Sequence, residues 1–445
     1  MTETEKKKII ADALRYALSK GADQCEIYVS ESRSESTQMR DGALSDDQTS
    51  SRSGFSVRLI RVGVPGFSYG VRLEKEPLRR AVDDALLSCD FLDPDEDYHF
   101  TAAGKAYPDV PAVKLAPVSV AEKKAVLAAM TAAAAKDDRI RRVERTSVSE
   151  YGGSTLLMNT LGLDLYKESR FVSVSAAVVA EADGDEQIGG DFQAAPSLDR
   201  IDFEGVASRA AADGIEKLGA APTDTGEYPV LFHPDAALSL LSLLLPSFLG
   251  DRAEKGLSVL KDRVGERIAA KGVFLYDDAL MAESVVPSPF DDEGQPCRRN
   301  ALLEDGVLKG FLYNNTYASR AGRESTGNGL CGSHKTLPSV GLNSYYLKKG
   351  DIPPEKVIGA VSDGVWIKDL MGLHMADPVS GDFSLGVIGR RIRGGEPAEG
   401  IRGSMAAGNL FDLLQNIEAV CDDFTVVGDV GAPSFLIKSL KISGK

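Results

Sequence analysis

The feature that most constrains the fold is an order of elements that occurs twice in the first 220 residues. Apolar residues at helical spacing are followed by segments with strand-like alternation, and then by a second helical pattern. The first copy spans residues 5–88 and the second spans residues 119–218. This repetition predicts an N-terminal α/β domain over residues 1–224, built from duplicated helix-strands-helix units. In it, residues 90–117 form a linker-like loop rich in Asp and Pro.

The individual elements of the two copies follow from the same patterns. In the first copy the predicted helices are 6–19 and 77–87, and the predicted strands are 25–30, 55–60 and 67–72. In the second copy the predicted helices are 121–135 and 203–218, and the predicted strands are 140–150, 154–166, 170–181 and 187–193.

The chain changes character after residue 224. Short strand patterns alternate with Gly, Pro and Asn-Gly turn signals, which predicts a mainly antiparallel β domain over residues 225–445. Within it, residues 236–250 are apolar but too short to cross a bilayer, so we expect a buried core helix. An amphipathic helix is predicted over residues 409–420 and a closing strand over residues 435–442. The whole chain is therefore expected to be α+β.

Charge and cysteine content narrow the function classes. Lys and Arg total 51 while Asp and Glu total 66, so the net charge is 51 − 66 = −15, which argues against nucleic-acid binding. The five cysteines are far apart and suggest neither a disulfide framework nor a zinc finger. The start of the chain lacks the apolar stretch of a signal peptide, and no segment predicts a membrane span. We expect a cytoplasmic protein with reduced thiols.

No local metal motif is present. The four histidines are well separated in sequence, and neither H-E-x-x-H nor H-E-x-x-x-H occurs. His334, His374 and Asp377 could still converge in space, and that alternative stays open. The run Asp291-Asp292-Glu293 before Gly294 has ligands suited to Ca²⁺ or Mg²⁺, but a turn between strands uses the same residues and is favoured.

Three further patterns have weak functional interpretations. Gly327, Gly329 and Gly332 match G-x-G-x-x-G, but the residues that follow make a poor helix, so a tightly turned Gly-rich loop is expected. Ser68 lies in a G-x-S-x-G match that falls within a strand pattern rather than at a nucleophile elbow. Ser258 and Lys261 match S-x-x-K, a spacing that often occurs by chance.

The chain resembles the TldD/PmbA family, whose members are also named modulators of DNA gyrase. The resemblance is carried by several strings in the C-terminal half. They are S-P-F-D-D-E-G at 288–294, L-E-D-G-V-L-K-G at 303–310, T-G-N-G at 326–329, D-P-V-S-G-D-F-S-L-G-V-I-G at 377–389, and A-G-N-L at 407–410 running into N-I-E at 416–418. Residues 433–443 resemble the final strand of the family. The order of elements in residues 1–220 also fits.

The resemblance implies two branches, of which only the TldD-like branch carries the zinc motif H-E-x-x-x-H. The segment G-D-x-x-x-K-G-x-S that follows that motif stands here at residues 250–258. Counting back places Leu241, Ser242 and Pro246 at the motif positions, and neither leucine nor proline can ligate zinc. Cys421 does not match the family's further zinc cysteine. The chain therefore resembles the PmbA-like, or TldE-like, branch without a metal site.

The resemblance implies a non-catalytic, metal-free subunit that pairs with a TldD-like, zinc-containing metallopeptidase subunit, or with itself, and acts on unfolded or extended peptides. Glycines and alternating strands suit main-chain pairing with a peptide. On that ground the candidate peptide-binding residues are Gly327, Asn328, Gly329, His334, His374, Asp377, Gly381, Asp382, Phe383 and Ser384. The alternatives are a stand-alone homodimeric peptide-binding protein and an autonomous hydrolase with a relocated site at His334, His374 or Ser68.

Overall fold

The computed structural model describes residues 1–110 and 117–445. Helices make up 25% of the chain and strands 42%, arranged in two large, mainly antiparallel sheets. This confirms the predicted α+β class. No helix within the described part of the chain combines the length and the apolar character needed to cross a bilayer.

The N-terminal part contains two units with the same element order. The first consists of α1 (Glu3–Ser19), β1 (Gln24–Arg40), β2 (Ala43–Arg61), β3 (Val64–Gly70) and α2 (Lys75–Ser88). The second consists of α3 (Val120–Ala134), β4 (Ile140–Asn159), β5 (Asp164–Ala182), β6 (Asp185–Ala195) and α4 (Phe203–Glu216). Their strands form one antiparallel six-stranded sheet in the order β3-β2-β1-β4-β5-β6, so the first strands of the two units pair at its centre. The duplication predicted from the sequence is present in the fold.

Three strands of this sheet differ from their predictions: two were predicted too short, and one was divided in two. β1 and β2 extend far beyond the predicted 25–30 and 55–60. The added part of β2 is polar and exposed and that of β1 is polar and mostly half-buried, so neither shows the apolar alternation from which strands are predicted. The predicted strands 140–150 and 154–166 are wrong as separate elements. Gly152 and Gly153 lie inside the continuous strand β4, and the chain turns only after Asn159.

The four helices of the two units pack on one face of the sheet. Thr2 and Ser119 begin α1 and α3 with capping boxes that satisfy free backbone N–H groups. Ile27 and Val29 of β1 point into the apolar core beneath α1 and α2, whereas Tyr28 between them packs with Leu157 on the opposite face. Alternation along the strands thus separates a helix-covered face from one without helices, part of which packs against the C-terminal part.

The segment predicted as linker-like, 90–117, contains one turn of 3₁₀ helix at Cys89–Phe91 and then neither helix nor strand through residue 110. Residues 111–116 lie outside the described residues. The described part is not a free tether, because Phe100 and Thr101 are buried. Tyr107 donates a hydrogen bond to the carbonyl oxygen of Gly294 at 2.9 Å. It therefore packs against the C-terminal part.

The C-terminal part is built on a ten-stranded sheet with short helices. Its helices are α5 (Pro234–Leu244), α6 (Gly250–Glu254), α7 (Asn315–Arg320), α8 (Pro354–Ala360) and α9 (Leu410–Gln415). Its strands are β7 (Gly226–Phe232), β8 (Leu275–Asp278), β9 (Arg299–Glu304), β10 (Val307–Leu308), β11 (Gly329–Leu330), β12 (Ser339–Val340), β13 (Tyr345–Leu347), β14 (Asp363–Met371), β15 (Asp382–Arg393), β16 (Glu396–Asn409), β17 (Ile417–Val427) and β18 (Val430–Ser443).

Five of these strands close into a barrel. The order β7-β14-β15-β16-β18 returns to β7, because β7 pairs in parallel with β14 and antiparallel with β18. The largest apolar core of the molecule fills this barrel and extends over α5 and α9. As predicted, most pairings are antiparallel, and residues 236–250 begin with a largely buried helix.

The helix predicted over 409–420 is wrong beyond residue 415. α9 ends at Gln415, and the following residues enter β17, which pairs antiparallel with β18. Cys421 accordingly lies buried in a strand and not at the end of a helix. The predicted closing strand is confirmed as part of β18. The imperfect apolar spacing there reflects a break in strand register between Ile437 and Leu440.

Candidate functional site

The helix that matches the family's zinc position is α5. His233 caps its start by accepting the N–H of Asp235, and Pro234 occupies the first helical position. Leu241 and Ser242 lie in its last turns, and Pro246 belongs to the 3₁₀ turn that follows. The chain therefore places all three residues on one continuous helical segment.

The surroundings of this segment are apolar. Leu241 is only 4% exposed and belongs to the main core. The Ser242 hydroxyl donates to the backbone carbonyl of Leu238 at 2.8 Å, so its proton is engaged within the helix. A cavity of about 20 Å³ lies here, between leucines of α5 and α9. These residues do not fit a zinc ion, which needs nitrogen, sulfur or carboxylate ligands.

No group of three His, Cys, Asp or Glu side chains within residues 1–110 and 117–445 is arranged to hold a metal ion. His334, His374 and Asp377, which the sequence left open as a convergent set, do not form such a group. His334 packs on the N-terminal sheet, whereas His374 lies in a 3₁₀ turn, Leu373–Met375, after β14.

The Gly-rich loop 325–334 is packed into the fold. The Asn328 side chain is fully buried and donates to the Asp277 carboxylate at 2.7 Å and to the Gly341 carbonyl at 2.9 Å. The Gly329 N–H donates to the carboxylate of Asp291 at 2.8 Å. At Gly327, φ is +77°, and a Cβ would come within 2.8 Å of the Pro296 carbonyl oxygen. The first part of the loop therefore stabilises the fold through buried hydrogen bonds and close packing.

His334 follows that loop and sits between the two parts of the molecule. Its ring lies directly over Gly54 of β2 and 6.4 Å from the ring of Tyr69. The side chain is 9% exposed, and Nε2 has no hydrogen-bond partner in the described part of the chain. Burial, with Lys335 nearby, lowers the pKa of His334, so its neutral form is favoured.

The second candidate segment, around residues 377–384, is a turn leading into β15. The Asp377 carboxylate accepts the N–H groups of Val379 and Ser380, which lowers its pKa. The φ of Gly381 is +81°, so a side chain would be strained there. Among the candidates that follow, Phe383 is buried in the barrel core, whereas Asp382 and Ser384 are exposed. Only part of the segment is therefore open to a ligand.

The serine alternatives lack catalytic geometry. Ser68 lies within β3 opposite Val57, as the strand pattern predicted, and not at a strand-to-helix turn. Ser258 is buried outside any helix, and its hydroxyl donates to the Ser247 carbonyl at 2.7 Å. A nucleophile needs a base within hydrogen-bond reach and an accessible oxygen, which neither arrangement supplies.

A buried charged cluster, which sequence reasoning missed, joins the two parts of the molecule. Arg58 of β2 is 1% exposed, lies 3.2 Å from the Glu26 carboxylate and donates to the Asp292 carbonyl at 2.9 Å. The predicted turn at Asp291–Gly294 is present, but its three acidic residues are buried. Burial raises the pKa of Asp291 to about 7 and that of Glu293 well above its usual value. We call these five residues the domain joint: Glu26, Arg58, Asp291, Asp292 and Glu293.

Models of known protein families match most of the chain. Three family models match: PmbA/TldA metallopeptidase domain 1 at residues 25–89, the central domain at 114–218 and the C-terminal domain at 225–444. A metalloprotease of Methanothermobacter thermautotrophicus is 27% identical, with 98% of this chain and 97% of that protein covered. The metalloprotease PmbA of Escherichia coli O157:H7 is 24% identical, with 99% and 97% covered.

Solved structures agree with these matches. A Thermotoga maritima protein, named for a suggested role as a modulator of a DNA gyrase, superposes with a TM-score of 0.91 at 27% identity, covering 98% of this chain and 100% of that one. TldE from Thermococcus kodakarensis gives a TM-score of 0.89 at 27% identity, with the same coverage. With three consecutive family domains and full-length structural neighbours, this chain belongs to the PmbA/TldD family of metallopeptidase-like proteins.

Proposed function

We propose that this chain is a non-catalytic, metal-free subunit of a PmbA/TldD-type metallopeptidase complex that acts on unfolded or extended peptides. The observation that carries the proposal is the occupancy of the zinc-motif positions by Leu241, Ser242 and Pro246. An active metallopeptidase needs two or three protein ligands, a bound water and a carboxylate that activates it. Leucine and proline supply no ligand, and the Ser242 hydroxyl is bonded to its own helix.

The packing of α5 supports the same proposal. A zinc site must leave an open, hydrated position for substrate. Here Leu240, Leu241 and Leu244 of α5 meet Leu413 and Leu414 of α9 in the main core. Such a helix stabilises the domain by apolar burial, which is a structural contribution. In this proposal a TldD-like partner supplies the zinc and the hydrolysis, while this chain binds peptide and supports the partner.

Peptide binding by this chain is supported by its exposed strand surface. The outer part of β2 is exposed, and β1 beside it exposes Ser32 and Arg33. Extended peptides bind such surfaces through main-chain hydrogen bonds and side-chain hollows. The net charge of −15 makes nucleic acid a poor partner. All five cysteines are unpaired, which agrees with a reducing, cytoplasmic environment.

The test is native mass spectrometry of the tagged chain purified from its own cells, combined with a hydrolysis assay on a disordered protein such as casein. The expected result is a complex of this chain with a similar-sized second chain and one zinc, in which chelator-sensitive cleavage requires the second chain. Cleavage of casein by the purified chain alone, abolished by a chelator, would overturn the proposal.

The same experiment separates the alternatives. A mass of twice this chain without metal, together with peptide binding but no cleavage, would identify a stand-alone peptide-binding homodimer. An autonomous hydrolase requires metal-independent cleavage by the chain alone, and that cleavage should then fall in one of the variants His334→Ala, His374→Ala or Ser68→Ala. We expect Ser68→Ala to leave the activity of the two-chain complex within about twofold of wild type, because Ser68 is neither a candidate peptide-binding residue nor part of the proposed partner's zinc site.

A further inference from the structure

The face of the six-stranded sheet without helices is lined, beyond its contact with the C-terminal part, by small hydroxyl side chains. Every second residue of β1 from Ser30 to Ser36 is serine, and these residues alternate with those that point toward the helices. Strand pairing places further serines beside them, at positions 50, 147, 149, 169, 173 and 175. Because these side chains are short, any larger side chain on this face stands above its neighbours.

Two aromatic rings project above the serines of this face. Tyr151 of β4 and Phe171 of β5 are cross-strand partners, and their rings stack with centroids 4.6 Å apart and planes 14° apart. The same cross-strand row continues on the other side of Tyr151 with Ser34 and then Ser50. Neither serine is large enough to cover a ring, and Tyr151 is 40% exposed. One face of the Tyr151 ring is therefore open above two small side chains.

The neighbouring row completes a hollow beside that ring. It runs Arg52, Ser32, Gly153, Ser169 across β2, β1, β4 and β5. Gly153 has no side chain, so the floor of the hollow there is backbone. The hollow is open to solvent and has a volume of about 330 Å³, at the lower end of the range of small-ligand sites. We call this the Tyr151 hollow: Ser32, Ser34, Ser50, Arg52, Tyr151 and Gly153.

One arginine, Arg52, gives the hollow its positive charge in a strongly acidic protein. Arg33 belongs to the β1 residues that point toward the helices, and it pairs with Glu35 at 2.6 Å. Arg52 is exposed and forms no ion pair or hydrogen bond with the residues of 1–110 and 117–445. No carboxylate lines the hollow. A ligand with a planar ring and a carboxylate close to it would match both the open ring face and the unpaired guanidinium.

We propose that the Tyr151 hollow is a subsite for an aromatic side chain of an extended peptide, with Arg52 binding a carboxylate next to that residue. The aromatic ring stacks on the open face of Tyr151, above Ser34 and Ser50. The carboxylate belongs either to an adjacent Asp or Glu or to the end of the peptide. The proposal rests on peptide binding by this chain, as proposed above, and adds a preference for peptides in which an aromatic residue lies next to a carboxylate.

The experiment measures binding of fluorescently labelled, unstructured peptides to the full-length chain by anisotropy. The probes share one polar background and carry, at one position, Phe-Glu, Ala-Glu or Phe-Gln, or a Phe at the free C-terminus. We expect the Phe-Glu probe to bind roughly tenfold more tightly than the Ala-Glu probe, because only the Phe-Glu probe has a ring that can stack on Tyr151. We expect it to bind about two- to fivefold more tightly than Phe-Gln, since the Arg52 pair is solvent-exposed. The C-terminal Phe probe tells whether a terminal carboxylate replaces Glu.

Variants assign the preference to the hollow. Tyr151→Ala should bring the Phe-Glu and Ala-Glu probes to within about twofold of each other, and Arg52→Gln should do the same for Phe-Glu and Phe-Gln. Ser50→Phe covers the open face of the Tyr151 ring and should weaken binding of the Phe-Glu probe to the level of the Ala-Glu probe. Ser51→Phe is the matched control, because Ser51 is equally exposed but points to the opposite face of the same strand.

The outcomes are distinguishable from those that test the proposed function. Equal binding of the Phe-Glu and Ala-Glu probes by the wild-type chain overturns the subsite while peptide binding stands. An aromatic preference that persists in Tyr151→Ala and Ser50→Phe also overturns it, because the preference then comes from another place. Binding of no probe contradicts peptide binding by this chain, and the subsite fails with it.

Discussion

Two aspartate turns in the C-terminal part share a local hydrogen-bond pattern and differ in their surroundings. In each, the carboxylate accepts the N–H of the residue two positions on: Asp291 from Glu293 at 3.0 Å, and Asp377 from Val379 at 2.7 Å. Asp291 is fully buried, and burial raises its pKa to about 7. Asp377 is exposed, and the N–H groups lower its pKa.

The difference shows that one turn motif serves two purposes. The buried turn belongs to the domain joint, where Arg58 from the N-terminal sheet reaches the carbonyl of Asp292. The exposed turn leads into β15 and leaves Asp382 and Ser384 open. The first is therefore expected to control stability, and the second is available for ligand contact. The predictions below test that division, starting with the largest effect.

Arg58→Met should cause the largest loss of stability. The substitution leaves the Glu26 carboxylate buried without its cation and removes the hydrogen bond to the Asp292 carbonyl. Breaking a buried ion pair in this way costs about 3–5 kcal/mol of unfolding free energy. Urea denaturation followed by circular dichroism measures it. Arg52→Met on the same strand is exposed and should change the unfolding free energy by about 0.5 kcal/mol or less. Equal effects of the two substitutions would contradict a structural role for the joint.

The two turns should respond differently to removal of their aspartates. Asp291→Ala leaves the N–H groups of Glu293, Gln295 and Gly329 without their acceptor in a buried place. A buried unsatisfied donor costs about 1–3 kcal/mol, so we expect a total near the upper end of that range. Asp377→Ala leaves the N–H groups of Val379 and Ser380 bonded to water, and it should lower the unfolding free energy by roughly 1 kcal/mol. Urea midpoints of the two variants, measured side by side, test the order. A larger loss for Asp377→Ala would reverse the comparison.

The pH dependence of stability should have opposite signs at the two turns. An unfolded aspartate loses its proton near pH 4, whereas folded Asp291 keeps its proton until about pH 7. The folded state then binds more protons between these values, so the Asp291 contribution to the unfolding free energy falls as pH rises from about 4 to 7. Asp377, with its lowered pKa, contributes stability above about pH 4 that is lost as the pH falls further.

Difference profiles isolate these contributions. Unfolding free energies of the wild type and of each alanine variant are measured from about pH 3 to pH 8, and the variant's curve is subtracted. The Asp291 difference should slope downward between about pH 4 and 7, and the Asp377 difference should vary only at the acidic end. A flat Asp291 profile would mean that its three N–H donors offset the effect of burial.

Much of the fold could be predicted because its signals are local. Helical and alternating apolar patterns identified the duplicated units, and a run of leucines identified α5. The turn at Asp291–Gly294 was predicted from its residue types. Its burial could not be, because the partner Arg58 is 234 residues away from Asp292 in sequence and belongs to the N-terminal sheet. Contacts of that kind depend on how the domains pack, which no local pattern reports.

The errors have physical reasons of the same kind. The outer part of β2 is polar and exposed and that of β1 is polar and mostly half-buried, so both lack the apolar alternation by which strands are usually detected. One signal was present and missed. Residues 29–37 read V-S-E-S-R-S-E-S-T, in which serine alternates with larger side chains at the period of a strand. That pattern extends β1 and marks the serine-lined face that contains the Tyr151 hollow.

The smallest stability effect is expected at Ser384, and it tests whether the exposed turn has the second purpose. Ser384 points outward from β15, while its neighbour Phe383 is 5% exposed and packs in the barrel core. Ser384→Arg should change the unfolding free energy by about 0.5 kcal/mol or less. If extended peptides cross this surface, the larger side chain should weaken peptide binding at least twofold in the anisotropy assay, by obstructing close approach of the peptide backbone. Ser439→Arg, on an exposed position of β18, makes the same substitution at another strand and serves as a control for added bulk and charge. Unchanged binding in Ser384→Arg would confine peptide recognition to the N-terminal sheet and leave the exposed turn as a strand connection.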